Sequence, residues 1–247
     1  MRINKVGVII MMKINSSEEL AIKIEHTNLN NLAKKEDIEH LTKKAKEYGF
    51  CAVVVSPYFV EYAKNLLKDT EIKVVTVVGF PLGFTAPESK EKEAEIAINS
   101  GADEIDMVVN IQAFKSEDYD TVTKEIEMVR KVTDGKILKV IIEAEHLNDE
   151  EIIRISEIIR DAGADYIKTS TGMSGQSPKA ANIVLMRKIA PNVKVKASGA
   201  VKDYKTSIRL ISSGADRIGT SSGDLIIEEY KRIYDKQLMD GPKGFMK

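Results

Sequence analysis

The sequence predicts an α/β fold, a (β/α)8 barrel with a short N-terminal extension, and three observations predict it. Apolar runs of strand length alternate with longer amphipathic segments along the whole chain. The runs are rich in Val and Ile and lack strict polar alternation, as parallel strands buried on both faces require. A motif, G-A-D-x-I, recurs at residues 101–105, 163–167 and 214–218, with a looser version at 48–52. In each copy the glycine is expected to end a helix, after which the chain turns at once into a strand.

The strands are expected, in order, at residues 22–27, 52–56, 73–79, 104–109, 138–143, 166–169, 194–197 and 217–219. Between them, charged amphipathic segments at 34–48, 87–100, 119–132, 149–162 and 177–189 read as helices. Asn148 or Asp149 is placed to cap one of these and Ser116 another. A βα unit repeated eight times in 247 residues closes most simply as a barrel. A doubly wound open sheet is the alternative; it favours a glycine-rich turn after the first strand, and residues 25–32 contain no glycine. No Pro/Gly/Ser-rich linker interrupts the pattern, so one domain is expected over 1–247, with its core over about 20–236.

Composition narrows the function classes. Lys and Arg number 37 against 38 Asp and Glu, a formal charge of −1, which gives no general electrostatic case for nucleic acid or an anionic membrane. Cys51 is the only cysteine, so an intrachain disulfide is excluded. The three histidines, His26, His40 and His146, lie far apart without metal-ligand spacing, which argues against a zinc site. The apolar run at 6–12 (VGVIIMM) is too short for a membrane span, which needs about 20 residues. No small-residue cleavage site follows it, so it reads as a short strand or a loosely held extension and the compartment as cytoplasmic.

Chemistry in such a barrel sits at the C-terminal ends of the strands. The polar residues there are Glu25 and Thr27, Asp106 and Asn110, Glu143, Lys168 and Lys196. Lys168 ends a short strand within DYIKTSTG. It either reaches into solvent or is desolvated, and a desolvated amine loses its proton readily and can attack a carbonyl. Asp106 interrupts an apolar run, as a catalytic carboxylate or as a structural partner for a lysine. Lys194 and Lys196 share a strand face, and Lys196 lies nearer the C-terminal end. Two ammoniums on neighbouring strands repel, so one is expected to lose its proton near neutral pH. Asp106 could then move protons directly or through a water. A second constellation suits phosphate. The loops after strands seven and eight carry Ser198, Gly199, Ala200 and then Gly219, Ser221 and Ser222, the latter opening a helix. Thr171 and Gly172 add a third side.

These residues resemble the 2-deoxyribose-5-phosphate aldolase family, class I aldolases of deoxynucleoside catabolism. The resemblance runs from about Ile24 to Gly223 and rests on IEHT at 24–27, VGFPLG at 78–83, GADEIDMV at 101–108, KVIIE at 139–143, IKTSTG at 167–172 and KASG at 196–199. It implies Lys168 as the Schiff-base lysine, Lys196 as the second lysine that lowers the first one's pKa, and Asp106 as the aspartate of the proton relay. It also implies phosphate contacts at Gly172, Gly199, Gly219, Ser221 and Ser222. The implied reaction is reversible cleavage of 2-deoxy-D-ribose 5-phosphate to D-glyceraldehyde 3-phosphate and acetaldehyde. The resemblance further implies no metal or organic cofactor, and a homo-oligomer, dimer or tetramer. The chain departs from the family pattern at Glu25, where the family has Asp, at Ala200 in place of a second glycine, and at Met173. Another Schiff-base aldolase or transaldolase, and a non-catalytic sugar-phosphate-binding barrel, are the competing readings.

Overall fold

Each of the eight barrel strands expected from 22–27 to 217–219 forms, and they hydrogen-bond in sequence order into a closed parallel barrel. The structure is a computed structural model that describes residues 14–240. The apolar run at 6–12 and the tail at 241–247 therefore lie outside the described residues. The chain opens with α1 (Ser17–Ala21), β1 (Ile24–Asn28), α2 (Lys35–Tyr48) and β2 (Ala52–Val55). Next come α3 (Val60–Leu67), β3 (Lys73–Val78), α4 (Pro87–Asn99), β4 (Glu104–Val108), α5 (Ile111–Lys115) and α6 (Tyr119–Val132). The second half runs β5 (Ile137–Ile141), α7 (Asp149–Asp161), β6 (Tyr166–Lys168), α8 (Ala180–Ile189), β7 (Lys194–Ser198), α9 (Tyr204–Ser212), β8 (Arg217–Thr220) and α10 (Gly223–Asp240). β8 pairs with β1, through Ile24–Ile218 and Glu25–Gly219, and closes the ring.

The repeated motif has a physical basis beyond its glycine. Gly101, Gly163 and Gly214 take positive φ (100°, 78° and 109°), the left-handed conformation that ends a helix cheaply only at glycine. The aspartate two residues on then ties the new strand to the start of the strand before it. Asp103 accepts from the Val74 N–H (2.9 Å), Asp165 from Leu138 (2.8 Å) and Asp216 from Val195 (2.8 Å). A cation braces each aspartate: Lys64, Arg130 and Arg187 respectively. The motif is a clamp at the N-terminal end of the barrel, used three times.

Helices pack their apolar stripe on the outer face of the sheet. Ile38, Leu41 and Ala45 of α2, Ile126 and Val129 of α6, and Ile152, Ile155 and Ile159 of α7 recur at helical spacing and are buried. Each large aliphatic side chain so buried contributes roughly 1.5–3 kcal/mol. Asn148 caps α7 through the Glu151 N–H (2.9 Å), as expected. Ser116 caps no helix N-terminus; it closes α5, and Asp118 caps α6 through Thr121 (3.1 Å). α8 starts at Ala180 rather than 177, because residues 169–179 form a long loop over the barrel mouth. Among the described residues no helix is long and apolar enough to cross a membrane.

Inside the barrel the two halves differ. β2 and β3 contribute a small apolar cluster of Ala52, Val54, Val75 and Val77. The other strands send in charge. Side chains from β1, β4, β5, β6, β7 and β8 meet one another, which only the barrel interior allows.

Candidate active site

Asp106 is the hub. It stands in β4 among Ile105, Met107 and Val108 and is fully buried, so its carboxylate must be paired. Its Oδ2 accepts from Lys168 Nζ and from Lys196 Nζ, both at 2.7 Å. Its Oδ1 accepts from Lys139 Nζ at 2.9 Å. The Asp106 carboxylate therefore bridges the two lysines directly. Lys196 also donates to Glu25 of β1, and Lys139 to Glu104 at 2.5 Å. Arg217 Nη1 donates to Glu25 Oε1 (3.0 Å) and Glu104 Oε2 (2.7 Å).

The electrostatics follow from this packing. Burial pulls the Lys168 ammonium down to about 8; Asp106 opposes the fall and Lys196 assists it. Desolvation thus leads, ahead of the lysine–lysine repulsion expected from the sequence. Burial acts to raise the Asp106 carboxyl, but Lys139, Lys168 and Lys196 together outweigh it and hold it well below the usual range. Glu25 is treated alike: burial raises it, and Lys139 and Lys196 bring it to about 2. For Lys139, burial is outweighed by Asp106, Glu25 and Glu104, which hold its proton more firmly than usual. Lys168 is thereby poised to become a neutral amine as pH passes about 8.

Above the two lysines opens a cavity of about 550 Å³. Its wall includes Lys168, Lys196, Thr171, Gly172, Gly199, Ala200, Gly219 and Ser221. Ser222 is not part of it: its N–H is taken by Thr220 Oγ1 at 2.9 Å. Asp106 lies beneath the wall, reached only through the amines. Gly172 and Gly199 face each other across the loops after β6 and β7; a Cβ on Gly172 would come 3.7 Å from Gly199 Cα. Gly199 (φ 109°) has no room for a side chain, since a Cβ would stand 2.8 Å from the Gln176 carbonyl oxygen. Gly219 serves Lys196 as well as the loop: a Cβ there would press on Lys196 Cε at 3.0 Å. Ala200 holds φ 45°, a left-handed conformation costly for a residue with a Cβ.

Glu143, at the end of β5, also has positive φ (47°), and its carboxylate accepts from the Thr171 N–H and hydroxyl. Glu145 accepts from Ser170 and Ser174, both at 2.5 Å. The two carboxylates fix the loop after β6 over the cavity. Lys139, Glu104 and Arg217 were not singled out from the sequence. The available signal was that Glu104 and Asp106 share one face of β4 and that Lys139 interrupts an apolar strand.

A buried amine whose pKa burial pulls down to about 8, held by a carboxylate under a cavity of about 550 Å³, narrows the comparison. The sequence profile of the DeoC/LacD family aldolases matches residues 19–223. The chain belongs to that family. It is therefore an aldolase, an enzyme of the lyase class. The deoxyribose-phosphate aldolase of Aciduliprofundum boonei is 48% identical over 220 residues, 88% of this chain and 99% of that protein. The deoxyribose-phosphate aldolase of Dictyoglomus turgidum is 46% identical over 210 residues, 85% of this chain and 96% of its own. Among solved structures, the tetrameric deoxyribose phosphate aldolase of Aeropyrum pernix superposes with a TM-score of 0.81 at 31% identity, covering 88% of this chain and 93% of that one. The closed barrel of the aldolase fold is thus the fold found here.

Proposed function

We propose that the chain cleaves 2-deoxy-D-ribose 5-phosphate reversibly to D-glyceraldehyde 3-phosphate and acetaldehyde, through an imine on Lys168. The observation that carries the reading is the Lys168 amine, desolvated to a pKa of about 8 and hydrogen-bonded at 2.7 Å to an oxygen it shares with Lys196. The neutral amine adds to C1 of the open-chain sugar, and uptake of one proton with loss of water gives the protonated imine. That cation draws electrons from the C2–C3 bond. The C3 hydroxyl gives up its proton, C3 becomes the aldehyde carbon of glyceraldehyde 3-phosphate, and C1–C2 remains as an enamine. Protonation at C2 and hydrolysis release acetaldehyde and the free amine. Asp106, reached through both amines, passes the protons.

Thr171, Gly172, Gly199, Ala200, Gly219 and Ser221 form the phosphate side, supported by their place in the cavity wall. Ser222 joins the same loop through its N–H, which donates to Thr220 Oγ1. Incubation with 2-deoxyribose 5-phosphate is expected to yield equal amounts of acetaldehyde and glyceraldehyde 3-phosphate. Equal binding without either product would favour a non-catalytic barrel. We also infer a cytoplasmic homo-oligomer, dimer or tetramer, acting on small molecules and not on nucleic acid. The tetrameric Aeropyrum pernix relative and the near-zero net charge support that reading.

Lys196 tests the electrostatics. Lys196→Leu removes a positive charge beside Lys168 and leaves Asp106 Oδ2 to Lys168 alone. Both changes hold the Lys168 proton more firmly, so the rise of rate with pH, expected near 8 from the Lys168 environment, is expected to move upward. A pH–rate profile checks this, and an unmoved midpoint would remove Lys196 from the role.

A further inference from the structure

Arg217 opens β8, at the end of the barrel opposite the cavity, yet it belongs to the same ionic cluster as the reactive amine. The cluster comprises the carboxylates Glu25, Glu104 and Asp106 and the cations Lys139, Lys168, Lys196 and Arg217. Four cations against three carboxylates leave one positive charge in a cluster that is buried except at Arg217, whose side chain is 17% exposed. Loss of a single proton from Lys168 makes the cluster neutral. Without the guanidinium, the cluster would already be neutral with Lys168 protonated, and deprotonation would leave a buried negative charge.

We propose that Arg217 is a positioning residue for the amine chemistry, acting through Glu25 and Glu104 to keep the cluster one proton above neutrality so that Lys168 gives its proton up. This rests on the reading of Lys168 as the imine-forming amine. Geometry supports it. One Nη1 joins Glu25 to Glu104, the two carboxylates that hold Lys196 and Lys139, and these lysines hold Asp106. The guanidinium also lies over the Tyr166 ring, 5.3 Å from its centroid, which fixes its plane. Facing groups do not cancel its charge. Burial pushes both Cys51 and Tyr166 to about 12, so both are neutral at working pH. Lys194, 5.6 Å from the centroid of the same ring, is exposed. β2 and β3 bring only apolar side chains to the interior cluster. An arginine suits the position because, unlike a lysine, it cannot relieve the crowding by losing its own proton.

The test follows imine formation with acetaldehyde as a function of pH, with borohydride reduction of timed samples and mass measurement of the Lys168 peptide. Arg217→Gln is expected to move the midpoint up by about one pH unit, the size of one charge acting at an effective dielectric of about 20. Glu104→Gln, which adds net positive charge, is expected to move it down. Arg217→Lys is expected to bring it back toward the native value. Midpoints unmoved in both Arg217→Gln and Glu104→Gln, with only the overall rate lowered, would make Arg217 merely structural and overturn the proposal. Should Arg217→Gln not fold, the direction of Glu104→Gln decides alone: downward supports the proposal and no movement overturns it. Absence of any adduct in the native enzyme would instead overturn the reading of Lys168.

Discussion

Lys168→Met is expected to abolish turnover of 2-deoxyribose 5-phosphate, by on the order of 10⁴-fold or more, while leaving the protein folded. The side chain is buried, unbranched and close to methionine in volume, so the replacement fills the same space. Asp106 keeps Lys139 and Lys196 as partners, so no carboxylate is stranded. Removing one partner of a buried ion pair is costly when it strands a charge, but here Lys139, Lys196 and Arg217 still balance Glu25, Glu104 and Asp106. Rate measurement by acetaldehyde release and a thermal melt check both halves. Turnover within tenfold of native would remove the covalent route; a collapsed melt would show that the amine is needed for the fold.

Asp106→Asn is expected to harm the protein in two separable ways. Lys139, Lys168 and Lys196 all lose the carboxylate they share, and the buried like charges are expected to cost about 3–5 kcal/mol of stability. Turnover is expected to fall by about 10²–10⁴-fold through loss of the proton relay. Imine formation behaves differently. Asp106 favours the charged form of Lys168, so without it the amine sheds its proton more easily. Acetaldehyde should still attach to Lys168 in the folded variant while carbon–carbon cleavage stalls. Denaturant melts measure the first effect. Parallel assays of trapping and turnover measure the second, and an equal loss in both would contradict the relay role.

The fold was legible because parallel strands buried on both faces read as unbroken apolar runs, and those runs set all eight strands to within a few residues. Lys168, Lys196 and Asp106 were legible for the converse reason: each is a charge in or at the end of such a run, at the end of the barrel where chemistry sits. Depth was harder to read. Lys139, Glu104 and Arg217 carry the same kinds of charge, but which face each presents depends on how the strands close, and their pairing crosses the barrel from β1 to β5 and from β8 to β4. Lys194 shows the ambiguity: it shares a face with Lys196 but stands exposed at the strand's start. The loops proposed for phosphate were legible as glycine and serine signals, yet the turn that puts Ser221 on the cavity wall is set by Thr220 bonding both Ser222 and Val201. The late start of α8 has the same origin. Glu143 and Glu145 hold residues 170–174 as a loop through contacts between neighbouring strands that no local pattern reports.

The most direct measurement is borohydride trapping of the native protein with acetaldehyde, followed by intact mass and peptide mapping. A single two-carbon adduct on Lys168 is expected, with capture rising as pH passes about 8. No adduct on the folded protein, or an adduct confined to another lysine, would contradict the assignment of Lys168 as the nucleophile.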